Sequence, residues 1–444
     1  MKKLIFIYIP IGGGILILLG LFFLRHLHGE KIIDETRTVY IKKNDKGFQV
    51  YRNGSPFYIK GAAGISHFKE LAEAGGNTIR VYDTINLGNI LNEAQENNLA
   101  VIVDIPIPPY KKEFNPYLNT NSNNVLKRKV EILLKKHKSH PALLMWNLGN
   151  EVNYPKVLIK NSFIKTFNEI IEIIHKEDPE HPVSTTFNPK SSTFSIYVHS
   201  WDLDIVGFNI FGDLKNLEFK TSIIFGLIKP IPYYSSEWGS DGPWECEVNT
   251  WKVPIEQTSA KKMEQVRQRY KIIEENRYGA CLGSLVFYWG NKHERTYTWF
   301  SLFHHDFKSE IIKVLEELWS NTNSSQNLIG LEYMLVDKKG ASDNIVFSPN
   351  ELKCAELKIN DFSTDSANIS WEIYPESWGQ DASNMYFNPR KKVDCFISFG
   401  NNKATFLTPN VEGPYRIFAY VYDNYGYFAT TNTPFYVLKT NDQN

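Results

Sequence analysis

Residues 146–153 read Trp-Asn-Leu-Gly-Asn-Glu-Val-Asn and continue an apolar run that begins at Pro141. The run has the length and composition of a buried β-strand, and it ends abruptly in small polar residues and one carboxylate. In barrels of parallel strands, catalytic side chains lie at the carboxyl ends of the strands. The stretch therefore predicts a buried strand with Glu151 at its catalytic end.

A second segment has the same order of residue types. Residues 231–239 read Ile-Pro-Tyr-Tyr-Ser-Ser-Glu-Trp-Gly and place Glu237 at the end of a strand. The two glutamates are 237 − 151 = 86 residues apart, which is roughly three strand–helix repeats of about 30 residues each. A single glutamate at a strand end is as readily a solvated loop residue, whereas a pair facing each other across a barrel is suited to glycoside hydrolysis.

Strand and helix patterns alternate on both sides of these segments. Apolar residues recur at helical spacing between the strands, and no glycine-rich phosphate loop favours a doubly wound sheet. Eight strands alternating with helices predict an α/β fold, a (β/α)8 TIM barrel, over residues 38–320. The predicted strands are residues 57–62, 77–82, 99–105, 142–148, 182–187, 204–210, 232–236 and 282–289.

The two ends of the chain differ from the barrel pattern. A helix at 309–319 is followed by the polar linker 321–327 and then by short strands, which predict a small Ig-like β-sandwich over residues 328–444. At the amino end, Lys2 and Lys3 precede an apolar run of 24 − 4 + 1 = 21 residues. As a helix this run is roughly 30 Å long, the thickness of a bilayer core. Residues 1–30 are therefore predicted to be an uncleaved transmembrane signal anchor, with cleavage near Gly29 as the alternative.

Composition excludes several classes of partner. The chain has 49 basic and 49 acidic residues, so nothing indicates a nucleic-acid partner. The spacing of its four cysteines is not that of a zinc site, and we expect no metal or organic cofactor. A disulfide between Cys354 and Cys395 is one alternative if the chain is exported, and free buried thiols are the other. Aromatic residues make up 14% of the chain, which fits a sugar-binding cleft as well as ordinary core packing.

With these motifs the chain resembles the large clan of retaining (β/α)8 glycoside hydrolases. Residues 146–151 most resemble the barrel domain of family 2 enzymes, such as β-galactosidases and β-glucuronidases. Residues 77–82, Asn-Thr-Ile-Arg-Val-Tyr, also resemble β-1,3-glucanosyltransferases. The resemblance covers about residues 45–320.

The resemblance implies a role for each matching residue. Glu151 is the expected acid/base, Glu237 the nucleophile, Asn150 a ligand of the sugar 2-hydroxyl, Arg80 the support of the nucleophile's charge, and Trp289 the floor of the sugar site. Trp238 is a candidate for an acceptor subsite. Many clan members carry a tyrosine after strand six that binds the nucleophile, but residues 207–211 here read Gly-Phe-Asn-Ile-Phe. Asn209, Tyr233 and Tyr288 are candidates for the missing contact.

The sequence thus predicts a membrane-anchored β-glycosidase on the periplasmic or extracellular side, acting on an oligosaccharide or polysaccharide by double displacement. Water or a second sugar can resolve the intermediate, so hydrolase and β-glucan transglycosylase both stand. The alternative is a weakly active or inactive barrel that serves as a carbohydrate-binding or envelope-assembly module.

Overall fold

The computed structural model describes residues 34–45, 47–157, 159–188, 193–217, 232–277, 279–321, 328–360, 368–376, 391–400 and 402–439. The predicted signal anchor, residues 1–30, lies outside the described residues. Within them, no helix is long and apolar enough to cross a membrane.

The chain forms two compact units. The first contains the residues up to Ala72, Gly76–Trp238 and Ile272–Val286, and the second contains Glu73–Gly75, Gly239–Lys271 and the residues from Phe287 onwards. Compactness alone does not define a domain that folds independently. The predicted domains, residues 38–320 and 328–444, therefore stay a prediction.

The first unit begins with a three-stranded antiparallel sheet, β1 to β3. Asn53 and Gly54 both have positive φ, 50° and 74°, as the tight turn between β2 and β3 requires. The backbone nitrogen and the hydroxyl of Thr38 both donate to Glu180 Oε2, at 2.8 and 2.9 Å. The three strands are β1 Val39–Asn44, β2 Gly47–Arg52 and β3 Ser55–Phe57.

The eight predicted barrel strands are confirmed, each within two residues of its predicted bounds. They are parallel and close into a barrel in the order β10-β11-β4-β5-β6-β7-β8-β9. All of their residues except Lys60 and Tyr288 are buried, as expected of parallel strands covered on both faces. Their bounds are β4 Ile59–Gly64, β5 Thr78–Val81, β6 Ala100–Ile105, β7 Leu143–Leu148, β8 Val183–Phe187, β9 Ile205–Asn209, β10 Tyr233–Trp238 and β11 Cys281–Trp289.

The amino-terminal sheet covers one end of this barrel. Val39 and Val50 belong to the same core cluster as Ile59, Ala100 and Ile205, and these last three residues stand at the first position of their strands. The chain therefore enters at the amino-terminal end of the barrel, opposite the end at which the strands finish.

Helices follow the strands, and asparagine or serine side chains cap several of them. Asn161 accepts from the backbone nitrogen of Ile164 at 3.0 Å, and Ser309 accepts from that of Ile311 at 3.3 Å, which satisfies amides left unpaired in a first turn. The last of these helices confirms the one predicted at 309–319. The helices are α1 Phe68–Glu73, α2 Leu87–Glu96, α3 Thr120–His137, α4 Ser162–Glu177, α5 Thr193–His199, α6 Ser259–Glu275 and α7 Glu310–Ser320.

The second unit contains a β-sandwich. One sheet has the order β12-β13-β21-β20-β17 with β15 also on β21, and the other has the order β14-β16-β19-β18. Residues of both sheets form one apolar core. The strands are β12 Phe303–His304, β13 Phe307–Ser309, β14 Leu331–Val336, β15 Val346–Phe347, β16 Leu352–Ile359, β17 Asn368–Pro375, β18 Phe396–Phe399, β19 Lys403–Leu407, β20 Gly413–Tyr422 and β21 Tyr427–Val437.

The alternation along β20 sorts its side chains between the two faces of its sheet. Ile417, Ala419 and Val421 lie in the sandwich core, whereas Phe418 and Tyr420 belong to a separate aromatic cluster. In that cluster, His304 stacks on Tyr420 with ring centroids 4.4 Å apart. This aromatic cluster thus packs within its own unit. The four cysteines, including Cys354 and Cys395, are free thiols.

Candidate active site

Both candidate glutamates lie at carboxyl ends of barrel strands. Glu237 is the penultimate residue of β10, and Glu151 lies three residues after the end of β7. Strands β8 and β9 separate β7 from β10 in the barrel. The two carboxylates therefore rise from non-adjacent strands at one end of the barrel, where the side chains of different strands converge.

The buried carboxylate of Glu237 is held by two donors. Arg80 Nη1 donates to its Oε1 at 3.1 Å, and the Tyr82 hydroxyl donates to the same oxygen at 3.0 Å. Glu237 is only 6% exposed, so water contributes little to its solvation. A cation and a hydroxyl donor both favour the ionised form of a carboxylate, and Glu237 is therefore built to be an anion.

Arg80 is the centre of the site. Its guanidinium is fully buried and forms a two-pronged ion pair with Asp104, at 3.0 and 2.7 Å. Burial lowers the pKa of Arg80, but the neighbouring Asp104, Tyr82 and Glu237 outweigh it and hold the pKa above its ordinary value. Arg80 is therefore a permanent cation beneath Glu237.

Tyr82 is a site residue that the sequence analysis missed. Burial and the negative charge of Glu237 raise its pKa well above the ordinary value, so the hydroxyl stays protonated and donates. The Arg80 guanidinium lies over its ring, 4.8 Å from the centroid. The period of two along a strand places residues 80 and 82 on the same side. This spacing indicates that Tyr82 lies beside Arg80, whereas the family resemblance placed the partner of the nucleophile after strand six.

Glu151 stands on a constrained turn. Its φ is +46° and that of Gly149 is +76°, and a non-glycine residue with positive φ is uncommon. A Cβ at position 149 would lie 2.4 Å from Val152 Cγ1 and 3.0 Å from Ile107 Cγ1. Only glycine fits there. The turn leaves Glu151 exposed at the barrel end, where it accepts from Asn209 Nδ2 at 3.2 Å.

Asn150 and Asn209 connect the two glutamates. The Asn150 side-chain oxygen accepts from Arg80 Nη2 at 2.7 Å, from Thr186 Oγ1 at 3.0 Å and from Asn209 Nδ2 at 3.1 Å. Asn209 lies opposite Glu237 in the register of β9 and β10. One hydrogen-bond network therefore runs from Glu237 through Arg80, Asn150 and Asn209 to Glu151. We call these residues, with Tyr82, the carboxylate network.

A deeper polar layer fixes the network from below. Asn147 Nδ2 donates to Asp104 Oδ1 at 2.8 Å, and its side-chain oxygen accepts from Ser184 Oγ at 2.8 Å. Burial raises the pKa of Asp104, while Arg80 and Asn147 act in the opposite direction. Because every group here has a partner, the Arg80 side chain has one well-defined position.

Three predicted substrate contacts are buried and pack elsewhere. Trp238 and Trp289 are both 0% exposed, so neither presents a surface to a sugar. Trp289 packs against Phe303 and Trp319, with centroids 5.3 and 6.3 Å away. Tyr233 begins β10, about 13 Å along the strand from Glu237, and packs on Phe208 at 5.5 Å. We correct all three to packing residues.

The expected partner of the nucleophile also differs from the prediction. Asn209 donates to Asn150 and Glu151, whereas Tyr82 on strand two binds Glu237. Among the described residues, no group of three or more histidine, cysteine, aspartate or glutamate side chains is arranged to hold a metal ion.

Comparisons with solved structures identify the class of fold. A β-galacturonidase of Eisenbergiella tayi has a TM-score of 0.50 at 14% identity, covering 65% of this chain and 55% of that one. A calcium-binding mutant of Bacteroides uniformis β-glucuronidase 2 has a TM-score of 0.50 at 14% identity, covering 90% and 48%. The chain therefore spans about half the length of these enzymes. It has the barrel fold of the glycoside hydrolases that it was predicted to resemble.

An endo-β-1,4-mannanase of Thermotoga petrophila is also similar, with a TM-score of 0.45 at 10% identity over 87% of this chain and 99% of that one. No protein-family model matches the sequence. A search of curated proteins found no match either.

Proposed function

We propose that this protein is a retaining β-glycosidase that acts on β-linked glycans by double displacement. The observation that carries the proposal is the carboxylate network. It holds one glutamate as a buried anion against Arg80 and Tyr82, and it connects that anion to a second, exposed glutamate. Retaining glycosidases need this division between an ionised nucleophile and a solvent-accessible acid.

In the first step, a carboxylate oxygen of Glu237 forms a bond to the anomeric carbon while the glycosidic bond breaks. Glu151 gives its proton to the departing oxygen. In the second step, Glu151 takes a proton from water or from a sugar hydroxyl, whose oxygen displaces Glu237 from the anomeric carbon. Two inversions leave the anomeric configuration unchanged.

The other residues of the network have supporting roles. Arg80 and Tyr82 hold the Glu237 carboxylate in position. The carboxylate loses its negative charge as its oxygen bonds to the anomeric carbon. The oxygen of Asn150 is occupied by three donors, which leaves its amide nitrogen for the sugar 2-hydroxyl. Asn209 orients Glu151 by donating a hydrogen bond to its Oε1.

The alternative, a binding or envelope-assembly module, rested on the missing tyrosine after strand six. Tyr82 supplies a hydroxyl to Glu237 from strand two, so that reason for expecting low activity is gone. Hydrolysis and transfer to a second sugar remain two outcomes of the same covalent intermediate.

The proposal includes the cellular location. Residues 1–30 anchor the protein in a membrane and the barrel acts on the periplasmic or extracellular side. The apolar run 4–24 supports this location. The first described strands, which follow the proposed anchor in sequence, and the carboxylate network are at opposite ends of the barrel.

The experiment compares the full-length wild type with Glu237→Gln and Glu151→Gln on a panel of aryl β-glycosides and β-linked polysaccharides. Since the similar structures include enzymes named for glucuronic acid, galacturonic acid and mannan, the panel includes those sugars beside glucosides and galactosides. We expect turnover with retained configuration in the wild type and none in Glu237→Gln. Wild-type turnover that persists in Glu237→Gln would contradict the proposal.

A further inference from the structure

A cleft lined mostly by residues of polar type lies in the first unit, beside α4. Its volume is about 610 Å³, within the range of about 300–1,000 Å³ that small-ligand sites occupy. None of the residues that line it belongs to the carboxylate network. Those that can contact a ligand with charge or an aromatic ring are Lys160, Lys165, Glu169, Glu172, Trp201 and Asp202.

The walls of this cleft are fixed by hydrogen bonds. Asn168 on α4 donates to the carbonyl of His199 at 2.8 Å and accepts from Ser200 Oγ at 2.7 Å. The His199 ring contacts the carbonyl of Val157 at 2.8 Å. The segment at the end of α5 is therefore hydrogen-bonded both to α4 and to the loop that contains Val157. The cleft is thus formed in the absence of a ligand.

Trp201 contributes an aromatic surface and no free donor. Its indole nitrogen donates to the carbonyl of Val198 at 2.8 Å, and the ring is partly exposed in the cleft. An indole whose N–H is satisfied by its own backbone offers a ligand its apolar face. Such a face packs well against the C–H side of a pyranose ring.

The charges around Trp201 are nearly balanced. Lys160 and Lys165 stand beside Glu169, Glu172 and Asp202, and Glu169 is also paired with Lys127 at 2.9 Å. This mixture does not favour a phosphate or a polyanion, which needs an excess of positive charge. Carboxylates accept and ammonium groups donate hydrogen bonds, so the two together suit the hydroxyls of an uncharged sugar.

We propose that this cleft is a second saccharide-binding site, which holds a neutral segment of the polysaccharide substrate away from the carboxylate network. The inference rests on the proposed function for the identity of the substrate. Trp201 stacks on a sugar ring, and the flanking charged groups hydrogen-bond its hydroxyls. The site raises the affinity for polymers and does nothing for a small aryl glycoside that cannot reach it.

The test is native affinity electrophoresis of the full-length chain in mild detergent, in gels that contain soluble β-1,3-glucan, β-1,4-glucan or β-1,4-mannan. The Glu237→Gln background prevents digestion of the polymer. We expect at least one polymer to retard this parent, and Trp201→Ala to raise the apparent dissociation constant about tenfold, the loss of roughly 1.4 kcal/mol. Trp201→Phe restores most of the affinity, and Tyr425→Ala, which removes an exposed ring of the sandwich (72% exposed), changes nothing.

Equal retardation of the parent and Trp201→Ala would overturn the inference, as would the absence of retardation by any polymer. Loss of binding in both Trp201→Ala and Trp201→Phe together with a lower melting temperature would also overturn it, because it would mean a structural role. Aryl-glycoside turnover by chains with Glu237 intact separates the two proposals. If turnover is present and Trp201→Ala does not change the retardation, only the proposed binding cleft is contradicted. If turnover is absent and Trp201→Ala reduces the retardation, only the proposed glycosidase activity is contradicted.

Discussion

At the scale of single residues, the site is defined by what surrounds one guanidinium. The Arg80 guanidinium donates hydrogen bonds to Asp104, Asn150 and Glu237. The attraction between a cation and an anion is stronger in a buried site than in water. Tyr82 adds a second donor to the same oxygen of Glu237. The strength of that second hydrogen bond can be measured.

Tyr82→Phe removes one hydrogen bond to the carboxylate and leaves the ring over Arg80. Hydrogen bonds to charged groups contribute about 1.5–3 kcal/mol, so we expect kcat/KM to fall about 10- to 100-fold on whichever aryl β-glycoside the wild type turns over. Tyr51→Phe, the same change in the amino-terminal sheet, is the control and leaves kcat/KM unchanged. An unchanged kcat/KM in Tyr82→Phe would show that the contact has no part in the reaction.

The turn before Glu151 gives a second prediction at this scale. Gly149→Ala adds a Cβ that meets Val152 at 2.4 Å, on a residue whose φ is +76°. Gly54→Ala is a matched control, because its φ is +74° and nothing lies within 4 Å of the added atom. Overpacking costs about 1–3 kcal/mol beyond the cost of the left-handed backbone, so we expect Gly149→Ala to lower the free energy of unfolding more than Gly54→Ala by that amount. Equal losses in chemical denaturation would mean that the turn has room to relax.

At the scale of elements, the sequence predicted what periodicity and composition determine. The eight strands were predictable because runs such as Ala100–Ile105 and Leu143–Leu148 are apolar apart from one polar residue each, Asp104 and Asn147. The direction of single side chains was not. Trp289 stands at the end of a barrel strand, as a sugar platform would, yet its ring packs on Phe303. Tyr82 was missed because its role depends on a partner 155 residues away in the chain.

The first turn of α7 gives a prediction about pH. Glu310 is fully buried, and burial raises its pKa from 4.5 to about 7. Between about pH 4.5 and 7, Glu310 is protonated in the folded state and ionised in the unfolded state. The contribution of protonated Glu310 to the free energy of unfolding is therefore complete below about pH 4.5 and is lost as pH rises through about 7. Glu310→Gln keeps an oxygen for the backbone amide of Ile329 and removes the charge.

We therefore expect the melting temperature of Glu310→Gln to exceed that of the wild type at pH 8 and to approach it at pH 5. Glu96→Gln, a change at an exposed position of α2, is the control and should follow the wild type at both pH values. Parallel melting curves for Glu310→Gln and the wild type across this range would mean that Glu310 does not titrate there.

At the scale of the molecule, the chain entry and the carboxylate network are at opposite ends of the barrel. Val39 and Val50 cover the end where the strands begin, and Glu151 and Glu237 stand where the strands finish. In the anchored protein that we propose, the site would lie at the end of the barrel opposite the first described strands. Such an arrangement suits a glycan that lies outside the membrane plane.

The anchor predicts a difference between two forms of the protein. The full-length chain should remain with the membrane fraction after alkaline carbonate extraction. This treatment releases proteins held at the membrane by charge but not a spanning helix, which the run 4–24 is predicted to form. A chain that begins at residue 32 should be recovered in the soluble fraction with the same kcat on an aryl glycoside. Recovery of the full-length chain in the soluble fraction would contradict the anchor.

The most direct test of the central claim is to trap the covalent intermediate on Glu237. A 2-deoxy-2-fluoro β-glycoside with a good leaving group, of the sugar that the wild type turns over, slows the second step more than the first. We predict that intact-protein mass spectrometry will show one added glycosyl unit, that peptide mapping will locate it on Glu237, and that Glu237→Gln will stay unlabelled. An adduct on another residue, or turnover with inverted configuration and no adduct, would contradict the account.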